Sequence, residues 1–471
     1  MEWTPDSKHV VLQQLNRLQN TNQVIRGDAK SGATKVLFTD RDDAWVDVAD
    51  HWHRIGKTTL LQRLIATDIA NGEGIALIDP HGDLAESLLS LIPRHRTNAV
   101  VVFDAGDRIL VPAFNPLACR TPAQRPLVAS GVVAAFKKLY GDSWGPRLEH
   151  ILRNALLAVL DIPGPSLLTV HRLLADAPFR RAIADRVTDP VVRAFWQQEF
   201  ASWKPPYQAE AIAPIQNKLG QFLSHPILRA IVGQRRSNMD LRCLMDEGAV
   251  FIVNLSKGRI GEDGTTLLGS LLVTAMQLAA MSRADIPEAD RHDFHLYVDE
   301  FQNVATESFA TILSEARKYR LTLTLANQYL AQMDDATAAA VFGNVGSLVA
   351  FQVGASDAEP LAVQLGPDVI PRDLLSLPRY TAYARLLIHG MPSRPFSLET
   401  LPPPSPSDRF ARPEVVRRTS AHRYARPANT IADDLRAALP ALACPPSRHP
   451  STHSPNSTFA SSDASRGLKD G

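Results

Sequence analysis

DFHLYVDEFQNVATESFATILSEARKYRLTLTLANQYL, residues Asp293 to Leu330, decides the reading of this chain. His295 to Val298 is a short, mostly apolar run ending in Asp299-Glu300, the pattern of a buried strand that delivers two carboxylates at its C-terminal edge. Buried strands seldom end in adjacent acids unless something positive is bound there. Nucleotide hydrolysis needs such a pair, one carboxylate to hold the water shell of Mg2+ and a second to orient or deprotonate the attacking water. A helical pattern from Ser308 to Tyr319 then leads to a second strand, Leu321 to Leu325, which ends in Asn327-Gln328. Two adjacent strands place Asp299, Glu300 and Gln328 on one sheet edge, where open α/β sheets bind ligands. The plainer alternative makes the two acids a turn after a strand.

The bulk numbers limit what surrounds this stretch. A chain of 471 residues buries a full core and holds two or three domains. Three cysteines, Cys119, Cys243 and Cys444, have no metal-ligand spacing, which argues for a reducing compartment and against a zinc site. The start carries no basic-then-apolar leader pattern, and the apolar run Leu267 to Met281 is shorter than a bilayer span. The expected location is cytoplasmic, at most peripheral at the inner membrane, with no span of the chain's own. A net charge of +1 does not announce nucleic acid, so any such contact must come from a local surface.

Upstream, in an N-terminal segment of residues 1–50, residues 1–30 are polar and irregular with a weak helical pattern at Val10 to Leu18, and an early strand is expected at Val36 to Phe38. Gly56-Lys57-Thr58 is followed by Leu60, Leu61, Leu64, Ile65 and Ile69, an apolar helix stripe. Glycine beside lysine and a hydroxyl at a helix start suits phosphate. Free amides meet the oxygens, lysine bridges the outer phosphates, and the hydroxyl ligates Mg2+. Gly56, Lys57, Thr58 and Thr59 are therefore candidate ATP contacts, with Thr58 and Asp299 the candidate Mg2+ ligands. The full loop is GxxxxGK[ST], however, and the place of its first glycine is held by His51.

Gly74 to Asp79 reads as a strand whose end carries Asp79, a nucleotide contact or the cap of a turn. Val100 to Asp104 is another strand. Strand, helix, strand in quick alternation means a parallel sheet covered by helices. Between residues 121 and 239 the pattern becomes helical, broken at Pro163, Pro190 and Pro205-Pro206, so an all-helical domain interrupts the sheet domain of residues 51–120 and 240–395. Trp144, Trp196, Trp203 and Tyr207 in that insertion cement helices or stack on bases. Residues 401–471 contain 11 prolines and 10 Lys/Arg against 6 Asp/Glu, a composition that reads as a disordered basic tail with at most a short helix at Ile431 to Leu439.

With these elements in place, the chain resembles the conjugative coupling proteins (TraD-like) of bacterial type IV secretion, hexameric DNA-pumping ATPases among the FtsK- and HerA-like RecA-fold motors. The resemblance runs from His51 to Arg394 and is carried by GIALIDPHGDLAESLLSLIP from Gly74, HLYVDEFQNVATESFATILSEARKYRL from His295 and TLANQYLAQM from Thr324. It implies a RecA-like P-loop sheet with the helical domain as its cap, ATP and Mg2+ as cofactors, and Asp299 as the Mg2+-side acid. It further implies Glu300 as the water-activating base, Gln328 as the polar sensor of the γ-phosphate, and Arg317 as an arginine reaching the neighbouring subunit's nucleotide. Arg317 has an alternative as an exposed helix residue paired with Glu315 or Glu307. Implied partners are DNA, a homo-hexameric ring, the secretion channel or relaxosome proteins, and a membrane-anchored partner.

One departure matters for activity. Where relatives read like IGKTGTGKSTLL, this chain reads IGKTTLL, as though five residues of the loop were lost. Losing two charge-assisted contacts of about 1.5–3 kcal/mol each costs roughly two to four orders of magnitude in affinity. The expectations are thus an ATP-driven DNA translocase or, as the alternative, a non-hydrolysing homologue acting as a structural or DNA-binding subunit.

Overall fold

The computed structural model describes residues 55–307, 309–404, 410 and 412–441, together with the backbone of four strands within residues 2–41. Those four, β1 (Glu2–Trp3), β2 (His9–Leu15), β3 (Thr21–Asp28) and β4 (Thr34–Arg41), form an antiparallel meander of their own. The helical pattern expected from Val10 is corrected: His9–Leu15 is a strand, held in register from His9–Asp28 to Leu15–Asn22 by its partner β3. Val36 to Phe38 falls within β4. His51 lies outside the described residues, as do residues 442–471.

Helix α1 (Ile55–Asn71) turns Leu61, Ile65 and Ile69 inward. They pack on Ile75 and Leu77 of β5 (Gly74–Asp79) and on Val250 and Ile252 further along the chain. After α2 (Asp83–Leu89) come β6 (Val100–Asp104) and β7 (Leu110–Pro112). The chain returns from the helical insertion as β8 (Val250–Asn254), and α3 (Lys257–Met281) crosses back to β9 (Phe294–Val298) and then β10 (Leu321–Leu325). These strands make a parallel sheet in the order β10-β9-β5-β8-β6, with Asp79, Asp104, Asn254 and Asp299 at the C-terminal edge. Every residue of β5 and β8 is buried, as apolar runs in a sheet covered on both faces must be. Helix α3 is long and apolar enough by composition to cross a membrane, yet most of it is buried as a core helix.

The insertion folds as helices, the longest being Arg125–Tyr140, Pro146–Leu160 and Pro205–Ser224. Its aromatics cement that packing. Trp196 is buried with its ring 4.8 Å from Phe195 and 5.0 Å from Phe200, Trp203 meets Phe200 at a tilt and Tyr207 edge-to-face, and Trp144 donates to Glu149.

Past β10, α4 (Asp335–Asn344) leads to β11 (Leu348–Ala350), which with β12 (Thr381–Arg385) and, beyond the hairpin β13 (Leu387–Ile388) and β14 (Met391–Pro392), β15 (Phe396–Glu399) builds a three-stranded antiparallel sheet. The disordered tail expected after residue 401 is corrected over residues 413–441. Helix α5 (Pro413–Tyr424) lies along edge strand β6, β16 (Ala425–Pro427) pairs antiparallel with β7, and α6 (Ala428–Ala441) follows. The reason is tertiary. Val416 and Ile431 are fully buried, Arg417 pairs with Glu86, and the Ser420 hydroxyl accepts the outward N–H of Val102 at 2.7 Å. A composition rich in proline and charge hides such contacts.

An edge-strand amide buried under a helix loses its water, so removing the acceptor leaves it unpaired at a cost of about 1–2 kcal/mol. Ser420→Ala should lower the unfolding free energy by that amount in a urea titration, with no change in the near-ultraviolet spectrum of the folded state.

Candidate functional site

The C-terminal edge of β9 faces the first turn of α1. There Lys57 Nζ lies 2.9 Å from Asp299 Oδ1 and 2.8 Å from Glu300 Oε1, with both carboxylates about nine-tenths buried. Burial works against the charge on Lys57, but Asp299 and then Glu300 outweigh it and raise its pKa. Burial likewise opposes ionisation of Glu300, and the Lys57 charge, with hydrogen bonds from Lys57 and Gln302, brings its pKa below the ordinary carboxylate value. Glu300 has φ 48°, the left-handed region that a side chain enters only at some cost, and it turns the chain directly into the 3-10 turn Phe301–Asn303. Its amide is satisfied by Asp299 Oδ1 at 3.0 Å.

Two residues that sequence reasoning missed hold the other side of Glu300. Gln302 Nε2 donates to Glu300 Oε2 at 2.7 Å and to Gln332 Oε1 at 2.9 Å, while the buried Gln302 Oε1 has no partner. Gln302 stands two residues beyond Glu300 in the quoted stretch, so the offset was visible. Gln332 comes from a turn 30 residues away, and nothing local marks it. Phe351 was missed too. A Cβ on Gly56 would sit 2.6 Å from its ring carbons, so only glycine fits there and the aromatic ring lies against the start of α1.

The remaining candidates are dispersed. Thr59 is buried and Thr58 half-buried in the first turn of α1. Asp79 spends both oxygens on backbone, accepting from His81 N at 3.0 Å and Ala85 N at 2.9 Å, which holds the turn into α2; burial pushes its carboxyl up. Gln328 sits just beyond β10 with its side-chain amide donating to the Tyr329 hydroxyl at 3.1 Å, and no hydrogen bond joins it to Asp299 or Glu300. Arg317 is exposed on the 3-10 turn before β10 and makes no ion pair with Glu315 or Glu307, which face Lys318 and Lys137. A cleft of about 610 Å3 lies elsewhere, between the insertion and α3, lined by Phe114, Arg120, Arg235 and Thr274 among others.

Among the described residues no group of three or more His, Cys, Asp or Glu could hold a metal ion by itself. The donors at the β9 edge nonetheless fit Mg2+, which takes one or two carboxylates and completes its shell with substrate phosphate and water. Asp299 and Glu300 are the carboxylates there, and the Lys57 ammonium holds both.

Comparison with known proteins agrees with the α/β frame. Residues 293–370 match the family model described as the TraM recognition site of TraD and TraG, and residues 1–86, which include β1–β4 but run on through α1 and β5, match that of the dipeptidyl peptidase IV N-terminal region. No curated protein matches by sequence. The conjugative coupling protein TrwB, in its trigonal form with sulphate, superposes with a TM-score of 0.55 at 16% identity, covering 75% of this chain and 85% of TrwB. TrwB with a non-hydrolysable ATP analogue gives 0.52 over the same shares, again at 16% identity. VirB4 of Thermoanaerobacter pseudethanolicus gives 0.52 at 13% identity, covering 81% of this chain and 96% of VirB4. Residues 293–370 thus match the TraD and TraG model, and the chain shares the α/β fold of TrwB and VirB4.

Proposed function

We propose that this chain is a DNA-translocating subunit of the coupling-protein type, driven by ATP and acting in conjugative DNA transfer. The observation that carries the reading is the meeting of Lys57, from the helix start, with Asp299 and Glu300, from the strand end, within 2.9 Å. That is where a nucleotide's outer phosphates and their cation belong in a P-loop sheet. Asp299 and Thr58 would hold Mg2+, which supplies neutralisation of the phosphate charge when bound. Lys57 turns from the acids to the phosphates. Glu300, still held through Oε2 by Gln302, then has Oε1 free to orient a water. In this reading Gln328, at the neighbouring strand end, would sense the γ-phosphate, and exposed Arg317 would reach the nucleotide of an adjacent subunit in a homo-hexameric ring. The DNA path, the secretion-channel or relaxosome partners and a place at the cytoplasmic face of the inner membrane belong to the same reading, supported by the likeness to coupling proteins.

A second reading, a non-hydrolysing homologue that binds DNA or the complex structurally, is favoured by one observation. The phosphate loop is shortened, and Phe351 covers Gly56.

DNA-stimulated ATP hydrolysis separates the two. In an active motor Glu300→Gln should reduce turnover by about 100-fold or more, the usual weight of a positioned general base. Equal rates in the two proteins would leave the structural reading.

Lys57→Met tests the ion triad itself. Without the cation two buried acids face each other, and unfolding in urea at pH 7 should cost roughly 1–3 kcal/mol less. The Glu300 pKa is depressed in the folded protein, so its share of stability is present above the ordinary carboxylate range and lost as pH falls through the folded value. The Lys57 pKa is raised, so its share is complete below the ordinary lysine value and lost only in the alkaline range above it. The advantage of the unaltered protein should therefore be flat between about pH 6 and 9 and shrink below about pH 4.

A further inference from the structure

The parallel sheet has two edges, and the fold treats them differently. The β6 edge is closed by α5, whose Ser420 takes the Val102 amide. The β10 edge has no neighbour: among the described residues no strand pairs with its outer side. Hydrogen bonds fix which groups are left over. Ala326 N donates to Val298 O, and Arg320 O accepts from Phe294 N, so the alternation of a parallel ladder turns residues 320, 322, 324 and 326 toward β9. The N–H and C=O groups of Leu321, Leu323 and Leu325 therefore point outward. Beyond Leu321, β10 is half-exposed or exposed, whereas β5 and β8 are buried throughout.

A second observation says what this edge lacks. The phosphate-binding unit is a strand, a glycine-rich loop and a helix in that order. Here α1 carries Gly56-Lys57-Thr58 in its first turn, and among the described residues the strands before it, β1–β4, form a separate antiparallel sheet rather than a strand of the parallel one, residues 42–54 lying outside the described ones. The β10–α4–β11 connection points the same way. It is a strand–helix–strand unit whose two strands do not pair, since β11 ends a different sheet, so β11 does not close the outer side of β10.

We infer that the outer edge of β10 receives a parallel β-strand from a partner chain, an apolar strand continued into the glycine-rich half of a phosphate loop that meets Gly56 and Lys57. This rests on the nucleotide reading of the α1 start. The occupant follows from complementarity: three outward N–H/C=O pairs ask for an extended backbone, and a helix beginning at the second half of the motif asks for the first half. Strand addition of this kind draws affinity from main-chain hydrogen bonds and specificity from alternate side chains.

The probe is a fluorescein-labelled peptide of five alternating Val and Ile residues continued into Gly-Ser-Thr-Gly-Ser, titrated against the full chain by fluorescence anisotropy. Binding with a dissociation constant on the order of 10 μM is expected. Leu323→Pro, which removes one outward N–H and which an edge strand tolerates, should weaken it at least about tenfold. Hydrogen exchange on the unaltered chain gives an independent readout, with the Leu323 and Leu325 amides protected by the peptide and the Thr324 amide unchanged. No binding at about 1 mM, or binding without protection of those two amides, overturns the proposal. So does a dimer of the chain alone that Leu323→Pro dissociates in sedimentation, because a second copy then owns the edge. Mg-ATP affinity is read separately. A peptide that binds and protects but leaves that affinity unchanged upholds the strand position and removes the nucleotide reading instead.

Discussion

One ammonium between two carboxylates governs this molecule. Asp299 and Glu300 leave β9 as neighbours, both largely buried, and their mutual repulsion in a partly dried site would drive one of them to take up a proton. Lys57 prevents this. At an effective dielectric near 20 each contact is worth roughly 4–6 kcal/mol of gross attraction, much of it cancelled by the cost of removing three charges from water. The net effect is a modest gain in stability and a firm constraint on geometry. The first turn of α1 is tied to the end of β9, and the Lys57 charge favours the ionised form of Glu300. A charge arrangement of this sort is also exchangeable, because a divalent cation can take the ammonium's place beside the acids while the ammonium turns to phosphate.

The frame that delivers the triad is a sheet whose strands are apolar on both faces. Its middle is over-determined: β5, β8 and β9 are paired on each side and packed above and below, so the positions of Asp79, Asn254 and Asp299 follow from strand register alone. The edges are where the chain makes choices. At β6 the C-terminal segment supplies a helix, a buried hydroxyl and a strand against β7, converting a proline-rich stretch into part of the core. At β10 nothing comparable is supplied among the described residues, and the Lys57–Asp299–Glu300 triad lies beside that edge. The best-built part of the sheet, the acidic strand, thus adjoins its open edge.

This contrast also explains what could be read in advance. The β9–β10 stretch was legible because its signals are local: an apolar run, two acids, a helical spacer, a second run. Gly56-Lys57-Thr58 and the stripe behind it were legible for the same reason, and so was the helical insertion. What escaped depends on contacts distant in sequence. Phe351 covers Gly56 from almost 300 residues away, and Ser420 serves Val102 across 318. The segment around His9 failed differently, since an apolar cluster of that length fits either period and only pairing with β3 settles it. The strap after Pro413 has little apolar periodicity to read; two buried side chains, Val416 and Ile431, hold it in place.

Gln302 shows how the site keeps its geometry when the charge arrangement changes. Its amide nitrogen holds Glu300 by the oxygen that Lys57 does not touch, so moving the ammonium frees one carboxylate oxygen and leaves the other anchored. The same nitrogen binds Gln332 on the 3-10 turn Leu330–Gln332, whose first amide, that of Leu330, is held by buried Asp357 at 3.0 Å. Gln328 lies just ahead of that turn. Glu300, the turn after β10 and the helix Ala355–Leu365, which carries Asp357, are therefore joined by three hydrogen bonds, with one lone acceptor, Gln302 Oε1, buried among them. An unpaired buried carbonyl costs about 1–3 kcal/mol, and the cost falls if a donor enters beside it. Within this network the free acceptor adjoins the residue that would orient a water, and a water donating to both Glu300 and Gln302 would repay the penalty as it took up its position for attack.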